Sequence, residues 1–212
     1  MPSAPPIPVI ADAPVADARE VAEVAGVLAR AFADNPGFRA LLRDSDGPRR
    51  LQQTARGMRW AVLAARRCGA VDLIRQDGQI VAVSLRYLPG CYPMTLAGQA
   101  LMVGMGLCGG LRAIPRFIRL DQFMLRQHPH TRHHYLYFIA VDPAHQGRGL
   151  GSALLRHLCA RADGDRLPCY LETDTPDNVR LYARHGFGVD SEHEVPGLPG
   201  LRMWLMTRPP AA

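Results

Sequence analysis

A glycine-punctuated turn, Gln146-Gly147-Arg148-Gly149-Leu150-Gly151, lies between an apolar run that ends at Val141 and a helical pattern that begins at Ser152. A strand ending on glycines at a helix start leaves backbone N–H groups free beside the positive helix end. That arrangement suits a phosphate or pyrophosphate. The glycines alternate, so the dinucleotide pattern G-x-G-x-x-G is excluded, and no Gly-Lys-Ser/Thr follows to make a P-loop. Downstream, Asn178 and Tyr182 are four residues apart and project from one face of a short helix. Taken alone, Tyr182 also reads as a core aromatic and Asn178 as an N-terminal cap. The run His128-Pro129-His130-Thr131-Arg132-His133-His134 offers metal-ligand types, but a tetrahedral zinc site takes partners from a second element. No Cys or carboxylate is tied to the run by spacing, so it reads as polar loop residues before a strand, and no metal is expected.

The elements that must position these residues follow from periodicity. Asp17 to Ala33 carries apolar residues at Val21, Val24, Ala25, Leu28 and Phe32, which is helical spacing, and Asp34-Asn35-Pro36-Gly37 ends it. Pro48 to Arg67 repeats the pattern through Leu51, Ala55, Met58 and Val62. The period then changes to that of a hairpin, with Val71 to Ile74 and Ile80 to Leu85 joined at Asp77-Gly78. Arg112 to Arg126 reads as a helix, Tyr135 to Val141 as a strand, and Gly149 to Ala162 as a helix. Cys169 to Glu172 reads as a strand and Asp177 to His185 as a helix stopped by Gly186. Phe187 to Val195 and Leu201 to Thr207 are two last strands around a Pro-Gly turn. Residues 1–6 read as a flexible tail leading to a short strand near Pro8 to Asp12. The order αα, ββ, α, β, α, β, α, ββ suits a mixed, twisted sheet with helices on both faces.

Composition narrows the function classes. The chain has 212 residues and a formal charge of +6, and all 25 basic residues are arginine. That charge favours anionic ligands, but the arginines are scattered and form no stripe with aromatics, which argues against nucleic acid. Five cysteines without a C-x-x-C pair read as free thiols of a cytoplasmic protein. The N-terminus lacks the charged and apolar regions of a signal peptide. Met94 to Leu111 approaches the length of a membrane span, yet it holds Gln99 and five glycines and lacks aromatic anchors. It reads as a buried or groove-lining helical segment, so no membrane partner is expected. The apolar stretch Leu88 to Leu111 suggests either an acceptor with a hydrophobic portion or a homodimer contact.

The turn at Gln146 to Gly151, with Val141-Asp142-Pro143 before it, resembles the acyl-CoA pyrophosphate loop of the GNAT N-acetyltransferase superfamily. Cys169 to Phe187 is similar to that superfamily's second signature, on Leu171-Glu172-Thr173, Asn178, Tyr182 and Gly186-Phe187. The resemblance implies one α/β (α+β) GNAT domain over residues 1–212. Its mixed, twisted sheet would have six to seven strands, helices on both faces and a splayed, V-shaped acyl-CoA cleft. It implies acetyl-CoA as donor, held by Ile139, Ala140, Val141, Gln146, Gly147, Arg148, Gly149, Leu150, Gly151, Ser152, Asn178 and Tyr182. A backbone N–H near Ile139 to Val141, where the strand bulges, would meet the oxyanion.

On this reading Tyr182 protonates the departing thiolate, for which a neutral phenol is suited. A base must also take the ammonium proton of a small-molecule amine acceptor, and Glu172 is the candidate. Glu172 could instead order neighbouring backbone or fix a basic acceptor. Tyr135 stands where histone-type members carry a glutamate, and His133 or His134 is an alternative base near neutral pH. Protein N-termini or lysines are rival acceptors, and a non-catalytic acyl-CoA sensor is the rival class. Ala31-Phe32-Ala33-Asp34, Leu150-Gly151-Ser152-Ala153, Leu171-Glu172-Thr173 and Trp204 to Pro209 also resemble the puromycin N-acetyltransferase-like branch. Asn35 departs from that branch, which has an aromatic there, and residues 88 to 130 do not match it.

Overall fold

The apolar stripe at Val21, Val24, Ala25 and Leu28 forms one face of α1 (Ala18–Phe32), whose first turn is capped by Asp17 accepting from Glu20 N at 2.8 Å. The computed structural model describes residues 12, 13, 17–92 and 96–211. The tail and most of the short strand expected near Pro8 to Asp12 lie outside those residues. A short α2 (Pro36–Leu41) follows α1, begun by Asn35, whose side chain accepts from Gly37 N at 2.9 Å. The sequence pattern gives no separate helix here, because six residues are too few to show a period. After α3 (Gly47–Cys68) comes the hairpin of β1 (Gly69–Gln76) and β2 (Gln79–Tyr87), turning on Asp77 and Gly78, both at positive φ.

The 89–111 segment contributes α4 (Leu96–Cys108), and α5 (Ile114–Gln127) follows it. The remaining elements are β3 (His134–Val141), α6 (Leu150–Asp165), β4 (Cys169–Thr173), α7 (Pro176–Ala183), β5 (Gly188–Glu194) and β6 (Arg202–Arg208). The six strands form one mixed sheet in the order β1-β2-β3-β4-β6-β5, parallel only between β3 and β4. Alternate residues feed opposite faces, as strand geometry requires. Val83, Leu85, Tyr135 and Tyr170 join α1 and α3 in one core cluster. Leu136, Leu171 and Met206 pack with Leu155 and Leu158 of α6 and Tyr182 of α7 in another.

The feature that matters for function is where the sheet comes apart. β3 pairs with β4 only from His134 to Leu136, against Cys169 to Leu171. Beyond Leu136, β3 stays with β2 while β4 stays with β6. The parting coincides with a bulge, since Leu85 opposes Phe138 and Arg86 opposes Leu136, leaving Tyr137 as the extra residue. A bulge bends its strand and raises the local twist, and here it turns β3 away from β4. The bulge thus falls two residues before the expected Ile139 to Val141 stretch. Among the described residues no helix is long and apolar enough to cross a membrane.

Candidate active site

The opening between β3 and β4 is a cleft of about 430 Å³. Ile139 of β3, Glu172 of β4, and Asn178 and Tyr182 of α7 all line it. The spacing argument for Asn178 and Tyr182 therefore holds in three dimensions, and both side chains face one space. Tyr182 is 5% exposed. Burial, with the charge of Asp174 second, pushes its hydroxyl well above the ordinary phenol range, so it is a neutral donor across physiological pH. Glu172 has a side chain 3% exposed and an Oε1 that accepts no hydrogen bond among the described residues. Buried carboxylate oxygens are normally satisfied, and this one lies 3.9 Å from His128 Nδ1.

The glycine turn lies at the end of β3 and opens α6. Gly147 and Gly149 have φ of 75° and 77°, and Gly149 is the N-cap of α6 without any side-chain cap. The first N–H groups of α6 consequently have no partner within the helix, and the backbone geometry fits an anion cradle. The Val-Asp-Pro residues secure the turn. Asp142 accepts from Ala144 N at 3.0 Å and is gripped by Arg30 of α1, Nε at 2.8 Å and Nη2 at 2.6 Å. His185, just past α7, lies 3.2 Å from Ser152 Oγ, tying the helix of Asn178 and Tyr182 to the first turn of α6. Burial lowers the His185 pKa, and Arg156, Arg184 and Arg208 add positive charge around it. These residues fit the phosphates of a CoA.

Several cleft residues were not evident from the sequence. Asp174 accepts from Asn35 Nδ2 at 2.7 Å and from Gly37 N at 2.7 Å, locking the corner between α1 and α2 onto the end of β4. A Cβ on Gly37 would stand 2.8 Å from Asp174 Oδ2, so glycine permits the approach. Burial raises the Asp174 pKa. The signal lay in Asn35, an N-cap residue before Pro within the Asp34-Asn35-Pro36-Gly37 stop of the first helix. The opposite wall comes from α4 and α5 through Met102, Val103, Leu107, Phe117 and Ile118, with Asp121 among them. This wall realises the groove-lining role expected of the glycine-rich segment.

The histidine run behaves differently from its reading as loop polarity. His134 turns to Asp165 at 2.9 Å, and His133 binds Thr131 O through Nδ1 at 2.6 Å. Neither lines the cleft, so neither meets the acceptor space as an alternative base. The member of the run that approaches the site is His128, its Nδ1 3.9 Å from Glu172 Oε1. Tyr135, at the position considered for a glutamate, is a fully buried phenol raised by that burial. Among the described residues no group of three or more His, Cys, Asp or Glu could hold a metal ion.

The split sheet, the glycine cradle and the α7 pair together define an acyl-CoA transferase type of fold, and residues 38–187 match the family described as Acetyltransferase (GNAT) family. The chain belongs to that family. It is 44% identical over 62 residues to a mycothiol acetyltransferase of Mycolicibacterium gilvum (strain PYR-GCK), covering 26% of this chain and 20% of that protein. A similar stretch, 43% identical over 63 residues, is shared with the mycothiol acetyltransferase of Mycobacterium sp. (strain JLS), again 26% of this chain and 21% of the relative. The match thus spans about a fifth of the length of these curated relatives.

A solved structure described as histone acetyltransferase HPA2 and related acetyltransferase, from Corynebacterium glutamicum ATCC 13032, is 26% identical. It superposes with a TM-score of 0.64 over 96% of each chain. Arylalkylamine N-acetyltransferase 2 from Aedes aegypti shares the fold at 14% identity and a TM-score of 0.62, over 95% of this chain and 98% of that one.

Proposed function

We propose that this protein transfers an acetyl group from acetyl-CoA to the primary amine of a small molecule, by direct attack within a ternary complex. The observation that carries the reading is the convergence of Glu172, Asn178 and Tyr182 on the gap between β3 and β4. The anion cradle of Gly147 to Ser152 follows β3, one strand of that gap, and opens α6. Acetyl-CoA, when bound, supplies an activated thioester. The cradle residues Gln146, Gly147, Arg148, Gly149, Leu150, Gly151 and Ser152 hold its phosphates. Ile139, Ala140 and Val141 offer backbone beside the gap, and Asn178 hydrogen-bonds the arm that runs between.

Glu172 takes the proton of the incoming ammonium, freeing the amine lone pair. β3 has no ladder partner on its β4 side after Leu136, and its N–H groups there meet the developing oxyanion. Tyr182 gives its hydroxyl proton to the departing sulfur. No covalent enzyme intermediate is needed, and the five cysteines are free thiols, none of them lining the cleft.

The acceptor side favours a small amine with an apolar body. Phe32, Phe38, Met102, Val103, Leu107 and Phe117 wall it, and Asp121 and Glu172 supply negative charge for one cation. A long peptide or a polycation fits that lining poorly. The test is acetyl-CoA-dependent thiol release against arylalkyl and alkyl amines, puromycin, polyamines, aminoglycosides and peptides with free N-termini. Turnover confined to the first two groups or to puromycin supports the reading. Turnover only with peptides moves the protein to the protein-acetylating class. Saturable acetyl-CoA binding with silence across the panel leaves the sensor role.

A further inference from the structure

Glu172 is too deeply placed to release a proton by itself, with a side chain only 3% exposed. A base in that position must pass its proton on before it can serve again. The hydroxyls of Tyr135 and Tyr170 both interact with its carboxylate. A neutral phenol takes up no proton near pH 7. The nearest imidazole is that of His128, whose Nδ1 lies 3.9 Å from Glu172 Oε1.

His128 leads onward. Its Nε2 is 3.0 Å from His133 Nε2, and His133 Nδ1 is 2.6 Å from Thr131 O. A carbonyl only accepts, so His133 carries its hydrogen on Nδ1, and its Nε2 is then an acceptor in the neutral ring. His128 must therefore donate from Nε2, which leaves its lone pair on Nδ1, facing Glu172. His128 and His133 both line a second cavity of about 160 Å³ with Gly90, His130, Thr131 and Arg132, the last three exposed at the surface. The two imidazoles thus join the cleft to a separate opening.

We propose that His128 and His133 form the proton exit of Glu172. The proposal rests on the transfer reading above. The ammonium gives a proton to the Glu172 carboxylate, and the carboxylic acid gives it to His128 Nδ1 through one water spanning the 3.9 Å between them. His128, now an imidazolium whose Nε2–H stays donated to His133 Nε2, gives the added Nδ1 proton to water in the side cavity it lines, which returns the pair to its starting tautomers. Burial lowers the proton affinity of His133 against the opposing hydrogen bond to Thr131 O, which favours the neutral ring that accepts from His128. The other titratable groups packed here are Tyr92, Tyr135 and Tyr170, all raised by burial, and His134, held by Asp165. His128 also packs against Tyr92, ring centroids 4.2 Å apart, so a purely structural role must be separated from the relay.

Two measurements do so. Nitrogen NMR of ¹⁵N-histidine-labelled full-length protein at pH 8 should show His133 protonated on Nδ1 and His128 on Nε2. Glu172→Gln should lower the pH at which the pair takes up a proton. A hydrogen on His128 Nδ1, or a pair indifferent to Glu172→Gln, overturns the relay. With an amine turned over by the parent, His128→Gln and His133→Asn should keep acetyl-CoA affinity and lose about 10²-fold in kcat/KM at pH 6.5. The loss should shrink toward pH 9.5, where more of the amine arrives neutral. A loss equal at every pH marks a structural role and overturns the proposal. Silence of the parent with every amine sinks the transfer reading instead, and the NMR arm still judges the histidines.

Discussion

Tyr182 and Glu172 divide acid from base by their surroundings. Tyr182 is held as an uncharged donor by burial, whereas Glu172 is an acceptor whose Oε1 has no partner. A group that acts only on the leaving sulfur leaves donor binding untouched when it is removed. Tyr182→Phe is expected to lower kcat by about 10²-fold while the acetyl-CoA Kd stays within twofold. Thiol release and calorimetric titration read the two quantities separately. An unchanged kcat would return Tyr182 to its role beside Phe187 in the core, their rings 5.9 Å apart. At this scale the sequence was informative where chemistry and spacing coincide, as at Asn178 and Tyr182. It was silent on Asp174 and His128, because their importance comes from neighbours 139 residues (Asn35) and 44 residues (Glu172) away along the chain. Such pairings exist only once the sheet has formed.

Elements carry the anion cradle and its support. Gly149 occupies a left-handed conformation that costs an L-residue about 1–2 kcal/mol. Gly149→Ala should therefore weaken acetyl-CoA binding by about tenfold and lower Tm by a few degrees, read by calorimetry and thermal melts. Behind the cradle helix, Asp163 of α6 accepts from Arg208 at 2.7 and 2.9 Å and from Ala211 N at 2.6 Å. The Arg208 guanidinium, with the Ala211 N–H next, holds the Asp163 carboxyl below the usual range. A depressed folded pKa contributes stability that is present above the unfolded value near 3.8 and is lost as pH falls through the folded value. Asp163→Asn should accordingly lower Tm at pH 7, with the gap from the parent closing as pH drops below about 4. A gap constant from pH 2.5 to 7 would assign the effect to packing.

The helices around these parts were legible because α1, α3 and α5 carry strong apolar stripes, and the β1–β2 turn was marked by Asp77-Gly78. α2 was hidden by its length. α4 was blurred because Leu96 to Cys108 is apolar on every side, so it shows no helical period even though it packs as a helix.

The whole molecule sets acceptor choice through one asymmetry. The sheet side of the cleft presents polar chemistry from β3, β4 and α7, while α4 and α5 close the other side with apolar groups. Val103, Leu107 and Ile118 line the cleft yet are 63, 55 and 49% exposed, so they form its lip. An apolar wall ending in an exposed apolar lip reads chain length. Each methylene taken from water into such a wall is worth about 0.8 kcal/mol. For straight-chain primary amines, kcat/KM should thus rise about fourfold per carbon and level off once the chain passes the lip. A diamine of equal length should lose much of that gain, because its second cation must leave water for a wall whose carboxyl, Asp121, is pushed by burial toward its neutral form. The measurement is thiol release at fixed acetyl-CoA with amines of graded length. A flat series would mean that these residues cover something other than the acceptor. A rising one would make the α4–α5 wall, within the residues 88 to 130 that do not match the puromycin-like branch, the part that decides which amine is used.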